Sequence, residues 1–191
     1  MRREELFESC RIALCLTLIL TAVISSAQQH RRDPLTQAEI DKIRDASWEP
    51  QQRLTLYVQF ARDRMVKLEE MRANSLIKNR GQQTHDMLDD FLLIYDELND
   101  NVETYVDRRN DIRKPLKTVI EADTEFQAKL RALRDAAGVP KEEAAQYEFV
   151  LSNALDTVDG SADDHHKLLE DQEEAAKHKK LTAASKKDKP E

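Results

Sequence analysis

An apolar heptad pattern constrains the fold of this chain more than any other feature. Alternating steps of three and four residues, starting at position 88, meet an apolar or aromatic side chain at thirteen of fifteen positions. These seam positions are Leu88, Phe91, Tyr95, Leu98, Val102, Tyr105, Arg109, Ile112, Leu116, Val119, Asp123, Phe126, Leu130, Leu133 and Ala137. Such a stripe follows one face of a helix and needs other helices to cover it, so it predicts an all-α fold.

The seam keeps its phase across Pro115, which leaves two interpretations open. One is a single helix of roughly 75 Å, kinked because proline removes a backbone hydrogen bond. The other is two helices, separated near Asn110 and Asp111, with Pro115 in the first turn of the second. The preserved register favours the kinked helix.

Two seam positions are polar, Arg109 and Asp123. On one helix they would lie about 21 Å apart, which is too far for a direct pair. Each therefore needs a partner from a neighbouring helix or a place near Pro115 where it is exposed. Buried polar seam residues usually fix the register of a bundle. A functional polar site inside the bundle is the alternative.

Glycine and proline mark the expected helix ends. Glycine adopts the left-handed cap without steric cost, so a helix is expected to stop at each of Gly81, Gly138 and Gly160. Proline fits the first turn of a helix, so helices are expected to start near Pro34, Pro50 and Pro140.

These boundaries predict a short helix over 36–46, opened by a capping box at Thr36, and long helices over 50–80, from 82 onward and over at least 140–159. The second and last of these carry their own apolar stripes, which are Leu54, Val58, Ala61, Met65 and Leu68, and Ala144, Tyr147, Leu151, Ala154 and Val158. We expect an elongated antiparallel bundle of three or four long helices with a short N-terminal helix. Trp48 is expected to fasten the short helix to the bundle near Leu54.

Composition excludes several classes of protein. Three glycines are too few for a glycine-rich nucleotide-binding loop or a turn-rich β-sandwich. A formal net charge of −7 argues against nucleic acid as a partner. No hydrolase, zinc-protease or EF-hand motif is present, so neither a catalytic residue nor a cofactor is predicted. His30 and His85 are interpreted as surface histidines.

The N-terminal segment is typical of an export signal. Residues 12–24 form an apolar run of thirteen residues, short for a membrane span, and small residues precede a cleavage site after Ala27. We predict a signal peptide over 1–27, with an uncleaved anchor as the alternative, and hence a periplasmic or secreted protein without a stable membrane span after cleavage. Both cysteines lie in this segment, so the mature chain has no disulfide.

The C-terminal residues differ from the bundle domain, which we place at 28–174. Residues 175–191 contain six lysines and two acids and have no apolar stripe. This composition predicts a disordered basic tail. The tail is either a solvated terminus or a contact for an anionic partner such as phospholipid, polysaccharide or the acidic body of the protein itself.

One group of side chains has the chemistry of a metal site. Four residues recur at intervals of four and would line one helix face: His166, Glu170, Glu174 and His178. Imidazole and carboxylate suit zinc or a similar divalent ion, and His165 adds a further candidate ligand. Because one helix supplies only part of a coordination shell, a solvated face with intrahelical ion pairs is the favoured interpretation.

Two short stretches resemble known groups of proteins. The stretch from Leu35 to Glu39, LTQAE, resembles the L-T-x-x-Q motif of the periplasmic Spy-like stress chaperones, which are helical and poor in cysteine. Here Glu39 replaces the glutamine. Residues 33–62 resemble uncharacterised exported proteins of bacteria, a resemblance that implies export but no activity.

Together these features predict a non-enzymatic, exported helical-bundle protein. We expect it to be an interaction or scaffold module of the bacterial envelope with a protein partner. A bundle that binds a divalent metal or a small ligand, and a periplasmic stress chaperone, are the alternatives.

Overall fold

The computed structural model describes residues 33–187, with side chains as far as Leu181. The chain divides into two units, Met1–Asp33 and Pro34–Glu191, and the fold described here is that of the second. The predicted signal peptide, residues 1–27, lies outside the described residues. Among the residues that are described, no helix is both long and apolar enough to cross a bilayer.

Residues 33–187 form six helices and no strand, which confirms the predicted all-α bundle. In chain order they are α1 (Gln37–Asp45), α2 (Pro50–Ala73), α3 (Arg80–Asp107), α4 (Arg113–Arg134), α5 (Lys141–Ala144) and α6 (Glu148–Lys187).

The four long helices run alternately up and down. Arg53 of α2 contacts Asn101 of α3, so the start of α2 lies beside the end of α3. Lys129 of α4 pairs with Glu69 of α2, which places these two helices parallel. Helix α6 packs antiparallel to α4 and also contacts α3.

The seam forms the centre of this bundle. Of its fifteen positions all are buried except Arg109, Leu133 and Ala137, and the aromatic rings of Phe91, Tyr95 and Phe126 pack against one another. The stripe predicted for α2 is buried along its whole length, from Leu54 to Leu68. The periodicity therefore identified the core correctly.

The favoured single kinked helix is wrong, because the chain breaks between α3 and α4. Arg109 adopts φ 57°, and the N–H groups of Arg109 and Asn110 donate to the carbonyls of Val106 and Tyr105. This pattern is a Schellman cap that closes α3. Pro115 then lies in the first turn of α4, where its missing N–H leaves no hydrogen bond unmade.

Two of the three expected glycine stops are also wrong. Gly138 takes φ 77° in the turn after α4, as expected. Gly160 lies within α6, which continues through it, and Gly81 is the second residue of α3. Helix α2 ends at Ala73 rather than near residue 80, because a loop connects it to α3.

The short helix α1 has the predicted capping box, in which Thr36 and Glu39 bond each other's backbone N–H groups. Glu39 also accepts two hydrogen bonds from Arg64 of α2, at 2.6 and 2.9 Å. This buried pair, and not Trp48, joins α1 to the bundle. The expectation for Trp48 is wrong, since its side chain is 93% exposed in the loop before α2.

The predicted disordered tail is wrong over residues 175–187. Helix α6 continues to Lys187, so these residues are helical. Residues 188–191 lie outside the described part of the chain.

Candidate functional site

The structure divides the predicted metal ligands between two faces of α6. His166, Glu170, Glu174 and His178 lie on the exposed face, whereas His165 is buried in the bundle. Adjacent residues on a helix point about 100° apart, so His165 cannot join the other four. Within residues 33–187 no group of three or more histidine, cysteine or acidic side chains is placed to hold a metal ion.

His165 instead belongs to a buried polar cluster that links three helices. Its Nδ1 lies 2.8 Å from Oδ2 of Asp123 on α4, and Oη of Tyr95 on α3 donates to Oδ1 of the same carboxylate at 2.7 Å. Asp123 therefore has the partners from neighbouring helices that a polar seam position requires. A second polar contact between α3 and α6 lies one turn away, where the side-chain amide of Asn99 donates to the hydroxyl of Ser161 at 2.9 Å.

The cluster has the chemistry of a catalytic site but is closed to solvent. An imidazole oriented by a carboxylate is the arrangement that a general base uses. However, His165 is only 4% exposed, and both Asp123 and Tyr95 are buried. Burial, reinforced by the neighbouring Asp123, raises the pKa of Tyr95, so its hydroxyl remains a proton donor. The cluster thus fixes the relative positions of α3, α4 and α6.

An open groove lies at the end of the bundle where α4 ends and α6 begins. This groove has a volume of about 500 Å³. Its floor is apolar and consists of Leu133, Ala136, Val139, Ala144, Ala145, Tyr147 and Leu151, and its rim carries Arg134, Lys141 and Glu148. We call this surface the terminal groove. Apolar pockets with a few polar groups at the rim are typical binding sites.

A charge cluster holds the α5 wall of the terminal groove against α2 and α3. Arg80 donates two hydrogen bonds of 3.0 Å to the Glu143 carboxylate, and Arg72 contacts the same carboxylate at 3.3 Å. The guanidinium of Arg72 also lies 5.3 Å from the ring centre of Tyr147 on the floor. The hydrogen bonds from Arg80 lower the pKa of Glu143 and keep it ionised.

Gly81 explains why α5 can lie this close to α3. A Cβ atom added at Gly81 would lie 2.6 Å from Oε1 of Gln146 and 2.9 Å from the carbonyl oxygen of Glu143. Only a residue without a side chain allows this approach. The glycine that was expected to stop a helix therefore serves a packing role at the groove.

Two large apolar side chains are exposed at the same end of the bundle. Leu76, in the loop between α2 and α3, is 85% exposed, and Phe149, in the first turn of α6, is 87% exposed. Single exposed apolar residues are ordinary on protein surfaces. Two exposed apolar side chains at the same end as an apolar groove enlarge the surface that a partner could cover.

Sequence reasoning missed both His165 as an interior residue and the terminal groove. His165 lies seven residues after Val158 on the buried stripe of α6, so extending that stripe would have found it. The groove depends on the turn at Gly138 and on the contacts of Glu143, which are long-range. Comparison of the chain with family models, curated proteins and solved structures yields no match.

Proposed function

We propose that this chain is a non-enzymatic interaction module, exported to the bacterial envelope, whose terminal groove binds an amphipathic segment of a protein partner. The observation that carries the proposal is the terminal groove itself, an open and largely apolar surface at one end of the bundle. The only buried acid–imidazole pair in the described residues, Asp123 with His165, lies where no substrate can reach it.

The side chains that line the groove indicate the size and charge of the partner segment. A volume of about 500 Å³ accommodates a few large apolar side chains, such as successive residues on one face of a helix. The rim carries both signs of charge, at Arg134, Lys141 and Glu148. A partner segment with apolar residues on one face and mixed charges beside them complements this surface.

The groove can be blocked without disturbing the core. Ala145 lines the groove and is exposed, so Ala145→Trp fills it with an indole ring. The matched control is Ala128→Trp, which places the same ring on an exposed position of α4 outside the groove. Both variants and the wild-type chain are cross-linked in their envelope fraction, and the attached proteins are identified by mass spectrometry.

We expect one protein in near-equal amount to the wild-type chain and to Ala128→Trp, and its loss from Ala145→Trp. Attachment of the same protein to all three forms would contradict the groove as its binding site. Attachment of a second copy of this chain would make the groove a dimer interface. Suppression of client aggregation that survives Ala145→Trp would favour the chaperone alternative without a role for the groove.

A small-ligand-binding function is the second candidate, because the groove volume also lies within the range of small-molecule pockets. Thermal unfolding in the presence of apolar ligand mixtures tests it. A rise in melting temperature for the wild-type chain and for Ala128→Trp, absent for Ala145→Trp, would support a ligand in the groove.

A further inference from the structure

The end of the bundle opposite the terminal groove concentrates positive charge. This end contains the turn between α3 and α4 together with the last part of α6. Residues 107–117 hold five basic and two acidic side chains, residues 170–174 of α6 hold four acids, and residues 175–187 hold five lysines and no acid. Helix α6 reaches the turn at Gln172, whose side chain contacts Asn110, and continues fifteen residues, about 22 Å, beyond it.

We call this surface the basic end. Its described cationic side chains are Arg108, Arg109, Arg113, Lys114, Lys117, Lys177, Lys179 and Lys180. At least four of them have acidic neighbours. Arg113 pairs with Asp111 and Lys117 pairs with Glu173. Lys179 and Lys177 lie close enough to help lower the pKa of Asp111 and of Glu173, respectively. Residues 118–169, which include most of α4, the terminal groove and the first half of α6, have the opposite charge, with eleven acids and five bases.

Exposed apolar side chains accompany these cations. Trp48 lies at the basic end, because Arg53 at the start of α2 contacts Asn101 near the end of α3. Its indole is 93% exposed, and Leu181 on α6 is 67% exposed. A cavity of about 490 Å³ between the turn and α6 has Val106 and Leu168 in its lining, together with Arg109 and Lys179.

We propose that the basic end binds the surface of a bilayer containing anionic phospholipid, with the bundle standing end-on. Clustered lysine and arginine side chains are attracted to anionic headgroups, and tryptophan is favoured at the boundary between headgroups and acyl chains. The acidic residues of α4 and α6 are repelled from the same surface, which disfavours binding along that side of the bundle. This inference is independent of the terminal groove, which lies at the other end.

A lipid surface fits these observations better than an acidic protein. The cations come from three segments, which are the turn after α3, the start of α4 and the part of α6 beyond Gln172. The indole and Leu181 are exposed among them rather than enclosed in a pocket. An acidic protein partner is one outcome of the test below.

The test is flotation of the full-length chain with vesicles of phosphatidylcholine alone or mixed with phosphatidylglycerol. The test variant is Arg108→Ala/Lys114→Ala/Lys180→Ala. The control is Lys67→Ala/Lys78→Ala/Lys141→Ala, which removes the same charge from exposed positions away from the basic end. All forms keep the apolar run 12–24, so any binding due to it is equal among them and does not depend on lipid charge.

We expect the wild-type chain and the control to bind the anionic vesicles about 100-fold more tightly than the test variant, at roughly fivefold per removed charge. Binding should weaken strongly between about 50 mM and about 500 mM salt. The fluorescence of Trp48, the single tryptophan, should shift to the blue on binding. Equal binding to both kinds of vesicle, or equal losses in the two variants, would overturn the proposal. So would cross-linking of an acidic protein to the basic end without vesicle binding.

Discussion

The two ends of this bundle present different surfaces although the same four helices form both. At the terminal groove, Arg72 and Arg80 pair with Glu143, and the open surface is lined mainly by apolar side chains with three charged residues at its rim. At the basic end, residues 107–117 and 170–187 carry ten basic and six acidic side chains, and Trp48 is exposed at the same end. An up-and-down bundle can therefore present two different surfaces separated by its length, with a closed core between them.

The largest effect is expected from Asp123, which lies between the two ends. Asp123→Ala removes the buried acceptor that Tyr95 and His165 share. We expect a loss of about 4 kcal/mol in the free energy of unfolding. Urea unfolding followed by circular dichroism measures it, with hydrogen exchange monitored at both ends.

The matched control for this prediction is Asp163→Ala, an exposed acid on the same helix as His165. It should change stability by less than about 0.5 kcal/mol. Faster hydrogen exchange at one end only in Asp123→Ala would show that the bundle does not unfold as a single cooperative unit.

The second largest effect is expected at low pH, where the attachment of α1 to α2 should weaken. Helix α1 leads into the loop that carries Trp48. Burial alone would raise the pKa of Glu39, but hydrogen bonds from Arg64 and Thr36 outweigh it and lower the pKa to about 2. A carboxylate with a depressed pKa stabilises the fold above its unfolded pKa. This contribution, about 3 kcal/mol, is lost as pH falls from about 5 toward 2.

Chemical unfolding at several pH values measures this contribution. The pH dependence should shrink in Glu39→Gln and persist in Glu70→Gln, whose side chain is exposed on α2. An unchanged acid profile in Glu39→Gln would contradict a stabilising role for the pair with Arg64.

Alanine substitutions at two glycines are expected to change the stability of the fold in opposite directions. Gly81→Ala forces the backbone of Glu143 away from α3, so we expect a loss of about 2 kcal/mol and a weakened terminal groove. Gly160→Ala adds a methyl group to open space within α6 and should stabilise the fold by about 1 kcal/mol. Thermal unfolding measures both, and equal signs for the two variants would be inconsistent with the packing described.

The smallest effect on stability is expected at Trp48. Because the indole is almost fully exposed, Trp48→Ser should change the free energy of unfolding by less than about 0.5 kcal/mol. It should nevertheless weaken binding to anionic vesicles severalfold while leaving partner capture by the terminal groove unchanged. Vesicle flotation and cross-linking of the same variant separate these results. Loss of both activities would show that the ends are not independent.

The sequence predicted the core well because periodicity alone determines which residues face inward. All but three seam positions are buried, and Asp123 has the partners from other helices that its position demands. The break near Arg109 was the less favoured of two interpretations, because the phase of the seam is preserved when a Schellman cap and a short turn restore the same face.

The candidate sites were less predictable because they depend on tertiary contacts. Gly81 could be recognised as a packing residue only once Glu143 was placed beside it. The basic residues near the C-terminus were visible as a charge cluster. However, their proximity to the turn at Asn110 and to Trp48 requires the antiparallel register of α2, α3 and α6.

Photo-cross-linking from the two ends in the envelope fraction tests most directly whether the ends bind different partners. A photoreactive amino acid replaces either Ala145 in the terminal groove or Leu181 at the basic end of the full-length chain. We expect the probe at position 145 to label a protein and the probe at position 181 to label phospholipid. Labelling of the same protein from both positions, with no lipid adduct at position 181, would contradict the central claim that the two ends bind different partners.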